Sequence, residues 1–261
     1  MHNRCPLHLT TILPILFALI WTVVLTAKDA QGSDAASFYR GKTIRIVVGY
    51  APGGGFDTFA RLVARNFGQH VPGQPRVIVV NMPGAGSLSA ANRIYNMKSP
   101  KGLTLVAFHY SNVPLNFIGD PAANFDPLKY YWIGSPSIGG LPRTVFIRSD
   151  LNIRTLEDLK NSKRTLALGG TGANTASAVA GKFLKELGYP VKNVMGYPGS
   201  SGAMAAIERK EVDGRITTQS SVETVYKRFL DENIVRPVLS LGTDPLVKHF
   251  PGIATEKDLK L

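Results

Sequence analysis

Cysteine is almost absent from this sequence, and its histidines are not clustered. The single cysteine, Cys5, precedes an apolar segment near the amino terminus, so the rest of the chain has no thiol for a disulfide or a cysteine nucleophile. His70, His109 and His249 stand apart from one another, and each is interpreted as a surface or packing residue. No serine lies in a Gly-x-Ser-x-Gly elbow, and no spacing suggests a zinc site. These absences favour binding over catalysis, without a metal or a cofactor.

Acidic residues are also few. The chain of 261 residues has 18 Asp and Glu against 30 Lys and Arg, which gives a formal net charge of +12. A basic balance favours anionic small ligands or a negatively charged surface, although simple solvation explains most of these charges. Because the Lys and Arg residues are dispersed rather than clustered, nucleic acid is not an expected partner. The length allows one large domain or two modest ones.

A long uncharged and almost wholly apolar run lies near the start of the chain. It extends from Leu9 to Ala27, after the positive charge of Arg4 and before residues 33–35, which fit a small-x-small cleavage site. This order predicts a signal peptide over residues 1–35 and a periplasmic location. The alternative is an uncleaved membrane anchor, because the run is near the length that spans a bilayer. Helix-breaking Pro14 within the run favours cleavage.

The first segment after this leader predicts a strand, a glycine loop and a helix. Ile44–Val48 is short, apolar and rich in β-branched residues, as in a strand buried on both faces. Pro52–Gly55 forbids regular structure, and Asp57 or Thr58 is a suitable N-cap for a helix that ends near Phe67. Such a unit directs free backbone N–H groups and the positive end of a helix at one point, which suits an anion.

The same kind of loop, between a predicted strand and a predicted helix, occurs in both halves of the chain. The loops concerned are Pro52–Asp57, Asn81–Ser87, Gly169–Thr175 and Tyr197–Ser201. Alternating strands and helices predict a doubly wound α/β architecture. Ligands of open α/β sheets lie beyond the carboxyl ends of the strands, so we expect two lobes whose loops face one cleft. Any one loop is equally well explained as a tight turn, but all of them together favour binding.

The chain resembles the receptors of tripartite tricarboxylate transporters, the Bug family of periplasmic solute-binding proteins. The resemblance covers essentially all of the chain after the leader. Its motifs are Phe38-Tyr39 with Lys42-Thr43-Ile44-Arg45, the Pro-Gly-Gly-x-x-Asp loop with Ala60-Arg61, Asn81-x-Pro-Gly-Ala-Gly, Pro100-Lys101-Gly102, Phe125-Asp126-Pro127, Tyr197-x-Gly-Ser and Glu211-Val212-Asp213. Each motif is short, but their order and spacing are specific.

The resemblance implies a two-lobed fold of the type II periplasmic binding proteins, each lobe a doubly wound mixed sheet flanked by helices. Lobe 1 would comprise residues 36–142 plus 237–261, and lobe 2 residues 143–236. Members of the family continue beyond the equivalent of Leu261, so the C-terminal part of lobe 1 is expected to be missing.

The resemblance also implies a small organic carboxylate as ligand, membrane permease subunits as partners, and a monomer. Tyr50 replaces a phenylalanine common in the family, and Asn174 stands near a position where many members have histidine. The residues expected to bind the ligand are Tyr50, Gly54, Gly55, Phe56, Asp57, Pro83, Gly84, Ala85, Gly86, Ser111, Thr171, Gly172, Ala173, Asn174, Thr175 and Tyr197.

Two other functions remain open at the level of sequence. A sensory binding protein would have the same cleft but would signal to a membrane sensor kinase. An exported α/β enzyme would need a base close to a loop serine such as Ser200.

Overall fold

The computed structural model describes residues 34–98, 102–135, 142–242 and 252–259. Of the predicted signal peptide, residues 1–33 lie outside the described residues. Within the described ranges, no helix is both long enough and apolar enough to cross a membrane.

The amino-terminal half contains a sheet of three parallel strands in the order β2-β1-β3, which we call the first unit together with its helices. Residues 34–39 are helical and precede it. Its elements are β1 (Thr43–Val48), α1 (Gly55–Phe67), β2 (Arg76–Asn81), α2 (Leu88–Tyr95), β3 (Thr104–Ala107) and α3 (Val113–Phe117).

The following residues form a mixed sheet of six strands in the order β6-β5-β7-β4-β8-β9, which we call the second unit together with its helices. Its elements are β4 (Arg143–Arg148), α4 (Leu156–Lys160), β5 (Leu166–Gly170), α5 (Ala176–Glu186), β6 (Val191–Met195), α6 (Ser200–Glu208), β7 (Gly214–Thr218), α7 (Gln219–Thr224), α8 (Lys227–Asp231), β8 (Val235–Leu241) and β9 (Ala254–Thr255).

The central strands are buried on both faces, as their apolar sequences predict. In β1, Ile46 and Val48 contribute to the core under α1. In β4, Val145 and Ile147 belong to one core cluster, whereas Phe146 belongs to a cluster on the opposite face. Because alternate side chains of a strand point to opposite faces, each central strand contributes to two layers of helices.

The predicted boundary of lobe 1 needs a correction. Residues 237–261 were assigned to it, but β8 pairs antiparallel with β4 and β9 pairs parallel with β8, so both lie in the sheet of the second unit. The physical reason is burial, because Val238 and Leu239 fill the core of the second unit. Segments 243–251 and 260–261 lie outside the described residues.

A close backbone approach at the end of β1 fixes the first glycine loop against the second. A Cβ atom at Gly49 would lie 2.3 Å from Cβ of Ser87 and 2.8 Å from its Cα. The N–H of Gly49 donates to the carbonyl of Ala107 at 3.0 Å, so the backbone cannot move aside without losing this bond. Glycine is therefore required by space at this position.

We expect Gly49→Ala to lower the free energy of unfolding by about 1–3 kcal/mol, the usual cost of an overpacked site. Chemical denaturation measures this cost. Gly55→Ala is the matched control, because its Cβ would meet only Oγ of Ser221 at 3.4 Å. We expect the control to change the free energy by less than about 1 kcal/mol. Equal losses in both variants would contradict the steric explanation.

Candidate functional site

Loops from the two units meet in one region. Each of these loops follows the carboxyl end of a strand, where α/β sheets bind their ligands. They are residues 49–54 after β1, 82–87 after β2, 108–112 after β3, 171–175 after β5, 196–199 after β6, and the start of α7 after β7.

Hydrogen bonds join the loops of one unit directly to those of the other. The described bonds include Ala51 N–H to Pro198 O (2.9 Å), Ser201 Oγ–H to Pro52 O (2.9 Å), Tyr226 OH to Gly53 O (3.2 Å) and Asn174 Nδ2–H to Asn112 Oδ1. A Cβ atom at Gly172 would lie 2.7 Å from the backbone of Gly86. The two units therefore approach so closely that only glycine fits at this contact.

Tyr50 links the first glycine loop to the second. It is buried, and its hydroxyl donates to the carbonyl of Gly86 at 3.2 Å. Burial raises the pKa of Tyr50, while hydrogen bonds to Ser87 and Thr171 and two nearby arginines oppose this rise. The hydroxyl that distinguishes Tyr50 from the family's usual phenylalanine thus takes part in the contact between loops.

Asp57 serves the first glycine loop rather than an open pocket. It is 3% exposed, and its carboxylate accepts from Gly53 N–H, Arg61 Nε and Asn81 Nδ2, each at 2.9 Å. Burial raises the pKa of Asp57, but these donors outweigh burial and hold it below its usual value. The predicted N-cap was wrong: α1 begins at Gly55, and Asp57 lies in its first turn. Asp57 holds the loop by bonding back to Gly53.

Two arginines of the second unit reach the region between the units. Arg143 begins β4, and its partner in the antiparallel register is Thr218 at the carboxyl end of β7. Arg215 on β7 is 5% exposed and donates to Oγ of Ser200 at 3.0 Å and to its carbonyl at 3.3 Å. Nε of Arg143 and Nε of Arg215 are buried and have no hydrogen-bond partner among the described residues.

The guanidinium of Arg143 perturbs Arg215, and both charges affect neighbouring groups. Burial lowers the pKa of Arg215 to about 10, and the positive charge of Arg143 contributes to the lowering. Burial and Arg143 lower the pKa of His109 to about 4. Burial raises the pKa of Tyr226, and Arg215 opposes this rise. The hydroxyls of Tyr50 and Tyr226 thus lie close enough to the arginines for the positive charge to lower their pKa values, but both hydroxyls are neutral at pH 7.

No described carboxylate neutralises this pair of arginines. Several other charges are paired, as in Arg61 with Asp57 and Arg164 with Asp213, whereas half-buried Arg236 has no ion pair among the described residues. Among the described residues, neither Arg143 nor Arg215 has an ion pair with Asp or Glu. Burying cations without a partner costs free energy. The uncompensated positive charge between the units therefore favours the binding of an anion. Within the same residues, no group of His, Cys, Asp and Glu could hold a metal ion.

Several of the residues predicted from sequence lie at this junction. Gly54 and Gly55 face Ser200 and Ser221 of the second unit, and Gly86 faces Gly172. The ring of Phe56 packs on Tyr50 with centroids 4.9 Å apart.

Further predicted residues lie around the junction. Ser111 hydrogen-bonds His109, Thr171 lies close enough to Tyr50 to lower its pKa, and Thr175 caps α5 by accepting from Ala178 N–H at 3.3 Å. Pro83, Ala85 and Ala173 are exposed, and Gly84 is half-buried with φ +152°, where a Cβ atom would lie 2.6 Å from Oγ of Ser89.

Tyr197 was also predicted to bind the ligand, but its described contacts lie within the second unit. A Cβ atom at Gly169 would lie 3.4 Å from its ring, and the ring packs against a core cluster of the second unit. Burial and Glu211 raise the pKa of Tyr197, whereas Arg209 lowers it. Its described environment is thus that core and the charges of Arg209 and Glu211.

Sequence reasoning missed His109, Arg143, Arg215 and Tyr226. His109 was set aside as an isolated histidine. Arg215 carries one recognisable signal, which is a charged residue within a strand that is otherwise uncharged, and Arg143 begins a strand whose only other charged residue is Arg148. A charge in a buried strand is expensive and indicates either a partner in the chain or a ligand.

Comparison with known proteins identifies the class and then the family. No family model matches the chain. The chain is 32% identical over 248 residues to the UPF0065 protein in the TAR-I ttuE-ttuC' intergenic region of Agrobacterium vitis, a match that covers 91% of this chain and 66% of that protein. This chain thus spans about two thirds of the length of the curated relatives it matches.

Solved structures with a similar fold include a periplasmic binding protein. BugD superposes with a TM-score of 0.67 at 21% identity, covering 85% of this chain and 73% of that one. Rpa4515 of R. palustris, solved with adipate, gives 0.68 at 18% identity, with coverage of 84% and 72%. MatC (Rpa3494) of Rhodopseudomonas palustris, solved with malate, gives 0.63 at 22% identity, with coverage of 85% and 74%.

These likenesses confirm the predicted two-lobed α/β fold of a periplasmic binding protein. The chain belongs to the UPF0065 family, which is the Bug family of periplasmic solute-binding proteins.

We expect Asp57→Asn to lower the free energy of unfolding at pH 7 by about 1–3 kcal/mol, because a buried charged acceptor is lost. The pKa of Asp57 is lower in the folded protein, so its stabilising effect is fully present above the unfolded carboxyl pKa of about 4. The difference between wild type and variant should therefore shrink as the pH falls through the lower, folded pKa.

Urea denaturation over a series of pH values measures this difference. Asp231→Asn is the control, because Asp231 is exposed and pairs only with Lys227 one turn earlier. We expect this control to cost less than about 0.5 kcal/mol. A cost for Asp57→Asn that stays constant down to pH 2 would show that the charge of Asp57 is not what holds the loop.

Proposed function

We propose that this chain is an extracytoplasmic receptor that binds a small organic carboxylate between its two units and delivers it to a tripartite membrane transporter. The observation that carries the proposal is the pair of buried Arg215 and half-buried Arg143, which lies beside loops of the first unit and has no acidic partner among the described residues. A carboxylate between the units would supply the missing negative charge.

The loops around these arginines supply further donors. The N-cap positions of α1 and α6 are glycines without a capping side chain, and Gly54 and Ser200 face each other across the junction. Helix ends contribute only about 0.3–1 kcal/mol each to anion binding, whereas micromolar affinity requires about 8 kcal/mol. Charge-assisted bonds from the arginines and exclusion of water account for the difference. The predicted loop residues would line the same cleft.

Relatives of known structure support the ligand class. Rpa4515 was solved with adipate and MatC with malate, and both acids carry carboxylates. We extend this class to the present chain, together with a non-enzymatic role and a periplasmic location. Export would rest on the predicted signal peptide, and the permease subunits would recognise the ligand-bound form.

We expect Arg215→Met to weaken carboxylate binding by about 10- to 100-fold, the value of one charge-assisted hydrogen bond in a buried site. Methionine keeps much of the length of the side chain and removes the charge. Isothermal titration with adipate, malate and a panel of other mono-, di- and tricarboxylates measures the affinity. Arg65→Met removes an equal charge from an exposed position on α1, so it should bind like wild type.

The melting temperature provides a second readout for the same variant. Because the described residues offer the buried charge of Arg215 no acidic partner, Arg215→Met should unfold at the same temperature as ligand-free wild type or at a higher one. Loss of binding without loss of stability would identify Arg215 as a residue kept for the ligand. Wild type that binds no acid of the panel would contradict the proposed function.

A further inference from the structure

His109 lies at the junction of the two units, with its ring packed against two aromatic side chains. It follows β3 and is 6% exposed. The ring stacks on Tyr110 with centroids 4.4 Å apart and contacts Phe56 with centroids 6.0 Å apart. A ring packed in this way presents a fixed edge to its surroundings, so the positions of its two nitrogens are meaningful.

We assign the tautomer of His109 from its hydrogen bonds at Nδ1. The backbone N–H of Ser111 donates to Nδ1 at 3.1 Å, and Oγ of Ser111 lies 2.7 Å from the same nitrogen. A backbone N–H can only donate, so Nδ1 carries no proton. The pKa of His109, lowered to about 4 by burial and by Arg143, keeps the ring neutral at pH 7. The proton of the neutral ring is therefore on Nε2.

This tautomer leaves two donors facing each other. Nε2 of His109 lies 3.4 Å from Nη2 of Arg143, and each atom carries a proton. Neither can accept from the other, so the contact satisfies neither group. Nε of Arg143 also has no partner among the described residues. Donors that converge in this way from two units are satisfied when an acceptor lies beside both of them.

We propose that His109 and Arg143 form a carboxylate clamp, in which one ligand carboxylate accepts from Nε2–H of His109 and from the guanidinium of Arg143. The clamp rests on the proposed function and assigns His109, with its tautomer set by Ser111, as a neutral ligand-binding donor. It also joins the units through the ligand, because His109 belongs to the first unit and Arg143 to the second.

Two substitutions at His109 distinguish the effect of its hydrogen bond on ligand affinity from the effect of the shape of its ring. His109→Gln can place an amide N–H near the position of Nε2, whereas His109→Phe keeps a flat ring and removes the donor. We expect His109→Phe to weaken the binding of adipate and malate by about 10- to 100-fold and His109→Gln to stay within about 5-fold of wild type. His70→Phe is the control, because His70 is exposed, and it should bind like wild type.

A second measurement needs no substitution and so remains informative if His109→Phe does not fold. Nitrogen NMR of the ligand-free protein should show His109 with its proton on Nε2, and adding adipate or malate should shift this nitrogen more than Nδ1. A proton on Nδ1 in the ligand-free protein would overturn the clamp. Wild-type affinity in His109→Phe would overturn the clamp alone, whereas failure of wild type to bind any carboxylate would overturn the proposed function with it.

Discussion

Burial of positive charge without an acidic partner is the constraint on which the site depends. Arg215 is almost completely buried, and its described bonds lead to Ser200, a neutral residue. Arg143 lies close enough to lower the pKa of Arg215. Burying the guanidinium of Arg215 beside that of Arg143 costs desolvation energy that no described carboxylate repays. An anionic ligand between the units is the simplest source of that energy.

The rest of the architecture brings main-chain donors and these cations to one place. Parallel strands in both units end in glycine loops, and the loops meet where Gly86 approaches Gly172. The carboxylate of Asp57 accepts hydrogen bonds from Gly53, Arg61 and Asn81. The negative charge of the first glycine loop is thereby neutralised locally, which leaves the junction positive.

Much of the fold could be predicted from local sequence. Ile44–Val48 and Arg76–Val80 are short β-branched runs, and both form strands. Thr155 and Thr175 have the residue type of helix caps, and both cap helices. The predicted boundary at residue 236 differed because an apolar strand does not specify its sheet. The register of β8 with β4 is decided by packing in the core, which no local pattern records.

The loops of the site could be predicted, but the charged groups within it could not. Glycine loops are visible because they require glycine at each close approach. Arg143 and Arg215 come together through the antiparallel register of β4 with β7, and His109 joins them only when the two units meet. These are long-range contacts, so the sequence shows three isolated polar residues where the structure shows one cluster.

A crystal structure of the protein with a bound carboxylate tests the central claim most directly. The account predicts ligand oxygen atoms within hydrogen-bond distance of the guanidinium of Arg143 or Arg215, enclosed between the two units. A carboxylate bound elsewhere, or bound between the units with both arginines paired to protein acids, would contradict it.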